Sequence, residues 1–238
     1  MRTVKSASVI KTNLCHACMH ARICLPSHAS INQSPLFDTL QFSARLLKRG
    51  EHLCYQGQHS DNLYIIRTGI LKSSITKQNG EEFVMGFYLP PDLFGWEGID
   101  ESHRSVSITA LDQSNICIIP TEKMFHLTEQ IPALGTQLLQ MVSRRIQQDN
   151  TALLRTSAQQ RVATFLLQLE SRYQKLGFPK HSLQLIMTHQ DIANYLRITP
   201  CTISRIFHEL ENKKIIKMDK HNVRLLDVPS MYVMAEGS

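Results

Sequence analysis

No stretch of this 238-residue chain comes near eighteen consecutive apolar residues, so the sequence offers no membrane-spanning helix. The opening MRTVKSASVIKTNL also lacks the apolar centre of a secretory signal, and a cytoplasmic protein without membrane association is expected. Carboxylates are missing from Met1 through Phe37, a span that holds Arg2, Lys5, Lys11 and Arg22. Such a leader is either a solvated, partly disordered segment or one that tolerates an anionic object beside it. There is no GxSxG, HExxH, P-loop or dinucleotide fingerprint, and no other convergence of acid, base and nucleophile, which argues against an enzyme. Internal repeats and low-complexity tracts are absent as well.

What is present is an ordinary globular composition, 42% hydrophobic and 19% charged, in a chain long enough for two domains with separate cores. A net charge of +6 and a pI near 9.1 favour a polyanionic partner without choosing among DNA, RNA and a membrane surface. The stretch CHACMHARIC places Cys15, Cys18 and Cys24 within ten residues, alongside His16 and His20. In a reducing compartment, thiols clustered this way serve metal or redox chemistry more often than disulfides. Four thiolates suit an iron-sulfur cubane, and four thiolates, or three with an imidazole from His16, His20 or His28, suit structural zinc.

From about Gly50 to Pro120, short alternating runs are broken by turn residues. LYIIRTG, ILKSSIT, EFVMGFY, SVSITAL and NICII read as strands, with Asn79-Gly80 supplying a hairpin turn and Pro90-Pro91-Asp92 a break. Many short strands imply a jelly-roll-like double sheet. The period then changes. Pro132 is suited to a first helical position, and Gly135, Leu139, Val142, Ile146, Asp149 and Leu153 follow at alternating spacings of four and three, the pattern of an a/d seam. Such a helix pairs with its own copy to make a homodimer, or else packs on its own β domain.

Past residue 156 the pattern is mostly helical. Val162, Phe165, Leu166 and Leu169 share a face, and Gly177 ends the segment. Thr188 can cap a helix with Asp191 three residues on and with Ile192, Ala193 and Leu196 on the buried side. Thr199-Pro200 then caps and starts a second helix carrying Ile203, Ile206 and Phe207. This is a helix-turn-helix, and KKIIKMDKHNVRLLD adds two strands around His221-Asn222 as a wing. The second helix of such a motif enters the major groove with Cys201, Thr202, Ser204 and Arg205 foremost. Arg205 can bind guanine O6 and N7 in bidentate fashion. Lys213, Lys214, Lys217 and Lys220 either meet backbone phosphates or form a solvated basic face.

A β-roll, a long seam helix and a C-terminal winged helix with the string TPCTISR (Thr199 to Arg205) resemble the CRP/FNR family of bacterial transcription regulators over nearly the whole chain. Within that family, Cys-x2-Cys-x5-Cys near the N-terminus plus a cysteine late in the β-roll resembles the FNR-type oxygen sensor. The resemblance implies that Cys15, Cys18, Cys24 and Cys117 hold a [4Fe-4S] cluster, with Asp149 on a family position in the dimer helix and Cys54 outside the ligand set. It also implies double-stranded DNA and RNA polymerase as partners, reading by Thr199, Cys201, Thr202, Ser204 and Arg205, and activation as the output.

Three departures stand out. Cys201 occupies a position where the family commonly has glutamate, which bears on its usual TTGAT-type half-site, and Arg197 occupies one where glycine is frequent. The cyclic-AMP receptor branch carries Gly-Glu and then Arg-Ser in its phosphate loop; here Gly95-Trp96-Glu97 precedes Arg104-Ser105, so the glutamate is displaced by one.

The expected protein is thus α+β. It has a cysteine segment (1–30), a jelly-roll-like β-roll sensor domain (31–130), a dimerisation helix (131–156) and a winged helix-turn-helix (157–238). Its expected function is cluster-controlled dimerisation and promoter binding. The rival readings are a regulator gated by a nucleotide or other small ligand in the β-roll, and a zinc-stapled interaction module.

Overall fold

The computed structural model describes residue 24 and residues 43–100, 102–153 and 156–237, with backbone only for 148–153. The chain forms two compact units, one up to residue 142 and one from residue 143.

The first unit is a β-roll. Its strands are β1 (Ser43–Leu47), β2 (His52–Cys54), β3 (Asn62–Thr68), β4 (Leu71–Thr76), β5 (Glu82–Tyr88), β6 (Leu93–Phe94), β7 (Ser107–Ala110) and β8 (Ser114–Pro120). They make two antiparallel sheets in the orders β1-β8-β3-β6 and β2-β7-β4-β5. All five strand runs expected from the sequence are found; β1, β2 and β6 were not foreseen. Gly80 closes the β4–β5 hairpin at φ 82°, its N–H donating to the Lys77 carbonyl at 2.9 Å. Tyr64 and Ile66 of β3 and Ile116 of β8 face the second sheet, against Leu71, Tyr88 and Ile108.

The residues between them along the same strands, Leu63, Ile65, Cys117 and Ile119, point the other way, because successive side chains of a strand alternate between faces. Strands β3 and β8 are therefore buried on both faces, which explains the unbroken apolar runs LYII and ICII. Two helices cover this outer face. The first, α1 (Thr121–Gln130), contributes Met124 and Leu127. The second, α2 (Pro132–Leu153), contributes Leu134, with Leu138 and Met141 packed alongside. Pro132 has no backbone N–H to lose and opens α2 as expected.

In the second unit, α3 (Ala158–Lys175) starts in a full capping box of Ser157 and Gln160 and stops before Gly177 at φ 85°. A short strand β9 (Ser182–Gln184) leads to α4 (His189–Leu196) and α5 (Pro200–Asn212). Strands β10 (Ile216–Asp219) and β11 (Asn222–Leu225) then form a hairpin whose turn is Lys220-His221, one residue earlier than expected, with β9 as a third strand. Helix α6 (Val228–Glu236) closes the unit.

The predicted caps are in place: Thr188 and Asp191 form a reciprocal box, and Thr199 accepts from the Thr202 N–H. Arg197, ending α4, sits at φ 57°, ψ 46°, the left-handed conformation in which a Cβ is unfavourable. Its carbonyl and that of Leu196 accept hydrogen bonds from Arg161 Nη1 at 3.4 and 3.1 Å, which holds the turn on α3. Arg197→Gly should therefore raise the stability of this unit by about 1 kcal/mol in chemical denaturation, despite the loss of exposed contacts to Asn194. An unchanged or lower value would show that those contacts outweigh the backbone strain.

Candidate nucleic-acid interface and cysteine centre

Helix α5 is amphipathic. Ile203, Ile206, Phe207 and Leu210 are buried, while Cys201, Ser204, Arg205 and His208 are exposed at i, i+3, i+4 and i+7, a single outward stripe. The structure thus brings together three of the five sequence-predicted reading residues, and adds His208, which helical spacing from Cys201 would have found. The other two lie at the helix start and bond each other: Thr199 Oγ1 and Thr202 Oγ1 are 2.9 Å apart, and Thr199 also caps the Thr202 N–H. His189, the first residue of α4, reaches the stripe from the neighbouring helix, with Nδ1 3.2 Å from Ser204 Oγ.

Lys213, Lys214, Lys217 and Lys220 are all exposed. Lys217 on β10 stands directly opposite Arg224 on β11, and neither makes a salt bridge among the described residues. Like charges across a strand pair cost about 0.2–1 kcal/mol, so this face is more favourable beside an anion. Arg224 was missed because the sequence reading counted only lysines.

Of the four predicted metal ligands, Cys15 and Cys18 lie outside the described residues. The other two share one apolar cluster. Cys117 is buried in the cluster formed by Leu63, Ile65, Leu93, Ile119, Met124, Leu127 and Leu134, and Cys24 packs against the same cluster with Trp96, Leu138 and Met141. Thiol sulfurs in an apolar, water-poor setting beside a helix base fit a soft metal group. Among the described residues no group of three or more metal-binding side chains converges. Cys54 is instead enclosed between the two sheets, and burial pushes its thiol up to about 11.

Arg104 is 2% exposed. Its Nη1 donates to the Gly95 carbonyl at 2.9 Å and to Glu97 Oε1 at 3.2 Å, and its Nη2 to the Asn62 carbonyl. The guanidinium that could meet a nucleotide phosphate is thus hydrogen-bonded to acceptors on β3 and on the segment that follows β6. The displaced Glu97 is the carboxylate that neutralises it.

Of the predicted seam residues, Leu139 and Ile146 are 73% and 55% exposed and Val142 is half-buried. Asp149 and Leu153 continue the helical backbone, but their side chains lie outside the description.

Residues 44–130 match the family model "Cyclic nucleotide-binding domain" and residues 160–232 match "Crp-like helix-turn-helix domain". The chain is 34% identical over 227 residues to the transcriptional activator protein Anr of Pseudomonas protegens, covering 94% of this chain and 93% of that one. It is 31% identical over 227 residues to the transcriptional activator protein FnrA of Stutzerimonas stutzeri, with the same coverage of 94% and 93%. Among solved structures it resembles FixK2 from Bradyrhizobium japonicum at a TM-score of 0.74 and 20% identity, over 83% of this chain and 98% of that one, a likeness of fold.

The environments of two thiols generate a direct prediction. Exposed Cys201 should alkylate readily in the native protein at neutral pH. Cys54, whose thiol is raised from 9.0 to about 11, should carry roughly a hundredfold less thiolate than an ordinary cysteine and react last. Time-resolved alkylation read by peptide mass spectrometry checks the order, and equal rates at the two sites would contradict it.

Proposed function

Because the chain belongs to the CRP/FNR family of DNA-binding transcription regulators, and within it to the FNR type, we propose that it is an oxygen-responsive activator. In this reading it acts as a cytoplasmic homodimer and depends on a [4Fe-4S] cluster held by Cys15, Cys18, Cys24 and Cys117. The observation that carries the reading is Cys24 packed on the apolar cluster that contains Cys117. When bound, such a cluster would supply an oxygen-labile cross-link between the N-terminal segment and β8. The chain's own residues supply the rest. Leu134, Leu138 and Met141 seat the base of α2 on that same cluster, so the contacts that hold Cys24 and those that hold the seam helix are shared. The seam is Leu139, Val142, Ile146, Asp149 and Leu153, and the exposed Leu139 and Ile146 are the apolar surface a second copy would cover.

Residues 1–30, 31–130, 131–156 and 157–238 then act as cysteine segment, sensor, dimer helix and DNA-binding domain. Cys201, Ser204 and Arg205 read base edges, with Thr199 and Thr202 setting the helix start that presents them. Lys213, Lys214, Lys217 and Lys220 neutralise phosphates. RNA polymerase is the partner an activator requires. A nucleotide-gated reading is disfavoured by the enclosure of Arg104.

Anaerobic purification followed by iron, sulfide and zinc analysis tests the cofactor. Ser substitutions of Cys15, Cys18, Cys24 and Cys117 should each lose iron on anaerobic reconstitution, and Cys54→Ser should keep it. Stoichiometric zinc without sulfide, or full iron in Cys117→Ser, would overturn the assignment.

Arg205→Ala should abolish sequence preference. Lys217→Ala should weaken binding to all duplexes alike and reduce the salt slope by ~1. Site selection from a random pool, with titrations at several salt concentrations, separates the two. Retained preference in Arg205→Ala would remove it from the reading set.

A further inference from the structure

His189 is not a DNA-reading residue by the helix-turn-helix pattern, since it opens the first helix of the motif. Yet it is an exposed side chain with two fixed neighbours on α5. Its ring meets Phe207 edge-on, with centroids 5.2 Å apart at 61°, and Phe207 is buried in the packing between α4 and α5. Its Nδ1 lies 3.2 Å from Ser204 Oγ. The aromatic contact holds the imidazole, and the imidazole holds the hydroxyl.

That second contact changes what Ser204 can say to a base. A lone serine hydroxyl rotates freely and can donate or accept, so it discriminates poorly among base edges. When Nδ1 is the acceptor, the hydroxyl proton is spent on the imidazole and only lone pairs face outward. When Nδ1 carries the proton, the hydroxyl accepts from it and keeps its own proton for a base acceptor. In the first case Ser204 offers a base only an acceptor; in the second it offers a donor as well as its remaining lone pair, so the imidazole decides which base edges the hydroxyl can meet. The three exposed neighbours, Cys201, Arg205 and His208, share the same stripe.

We infer that His189 is a positioning residue for sequence recognition: it orients the Ser204 hydroxyl, limits the hydrogen bonds it can offer, and thereby sets the base preference at the pair Ser204 meets. The inference rests on α5 being the reading helix. It adds a determinant from outside that helix, at a chain where Cys201 already departs from the family's reading set.

The test is site selection from a random duplex pool, followed by affinity measurements on the selected site and its single-base variants. The proteins compared are the full chain and His189→Ala, Ser204→Ala, the double variant and His189→Asn. Asparagine places an amide near where Nδ1 stands. His189→Ala and Ser204→Ala should relax preference at the same base pair, each by about fivefold, the worth of a net hydrogen bond. The double variant should be no worse than either single one, and His189→Asn should recover part of the preference. Additive losses, or a His189→Ala that weakens all sequences equally with a smaller salt slope, would overturn the proposal and make His189 a phosphate contact. If the unmodified chain selects no motif, the reading role of α5 falls and this proposal with it; a selected motif indifferent to His189 overturns this proposal alone.

Discussion

The packing of one apolar cluster on the outer face of β3 and β8 governs what the first unit can do. Leu63, Ile65, Cys117 and Ile119 project there because of strand alternation, and Met124, Leu127 and Leu134 close over them from α1 and α2. Packing at interior density is bistable rather than elastic, so a change at one edge is felt by its neighbours. Cys24 at one edge and Leu138 and Met141 at another belong to the same set of contacts. If the cysteine segment senses and α2 pairs as proposed, this cluster is what the two have in common. Such a coupling would need no long pathway of residues, only the cluster that both elements pack against.

The other face of the same strands holds a buried guanidinium. Arg104 lies 4.9 Å from the Tyr64 ring and bonds the Gly95 carbonyl, the Asn62 carbonyl and Glu97. Gly95, at φ 102°, leaves no room for a Cβ: one there would fall 2.9 Å from Arg104 Nη1. A buried guanidinium is costly unless charge and hydrogen bonds are supplied, and here the protein supplies both. Within residues 44–130, which match the cyclic nucleotide-binding domain model, this arginine is thus held by acceptors of the protein's own.

Much of this was legible in the sequence, and the reasons for the gaps are physical. Alternating runs, the Asn79-Gly80 turn and the Thr188 and Thr199 caps are local signals, and each element they announce is present. Helix α1 was invisible because TEKMFHLTEQ buries only Met124 and Leu127, too few to draw an apolar stripe. Strands β2 and β6, of three and two residues, are too short to show a period. In the candidate site, the spacing of Cys15, Cys18 and Cys24 is a sequence property, but that Cys117 faces the helices rather than the second sheet depends on strand register. The His189–Ser204 contact spans fifteen positions and exists only because α4 packs on α5.

The seam of α2 sets how sensitively such a protein could respond. Full burial of a leucine or isoleucine is worth about 1.5–3 kcal/mol, and Leu139 and Ile146 are the large apolar side chains left uncovered on the described part of this helix. A pair of α2 helices would therefore gain several kcal/mol from them. Asp149, three residues on from Ile146 in the sequence, would work the other way in the proposed pairing, because like charges brought together at a seam repel. In that pairing the two contributions would oppose each other. In such a pairing a shift of about 1.4 kcal/mol in how α2 is seated would change the dimer equilibrium tenfold, and Leu134, Leu138 and Met141 are the side chains that seat it on the β-roll. Under the proposed function, a seam without Asp149 would lose the opposing contribution and depend less on how the β-roll seats α2.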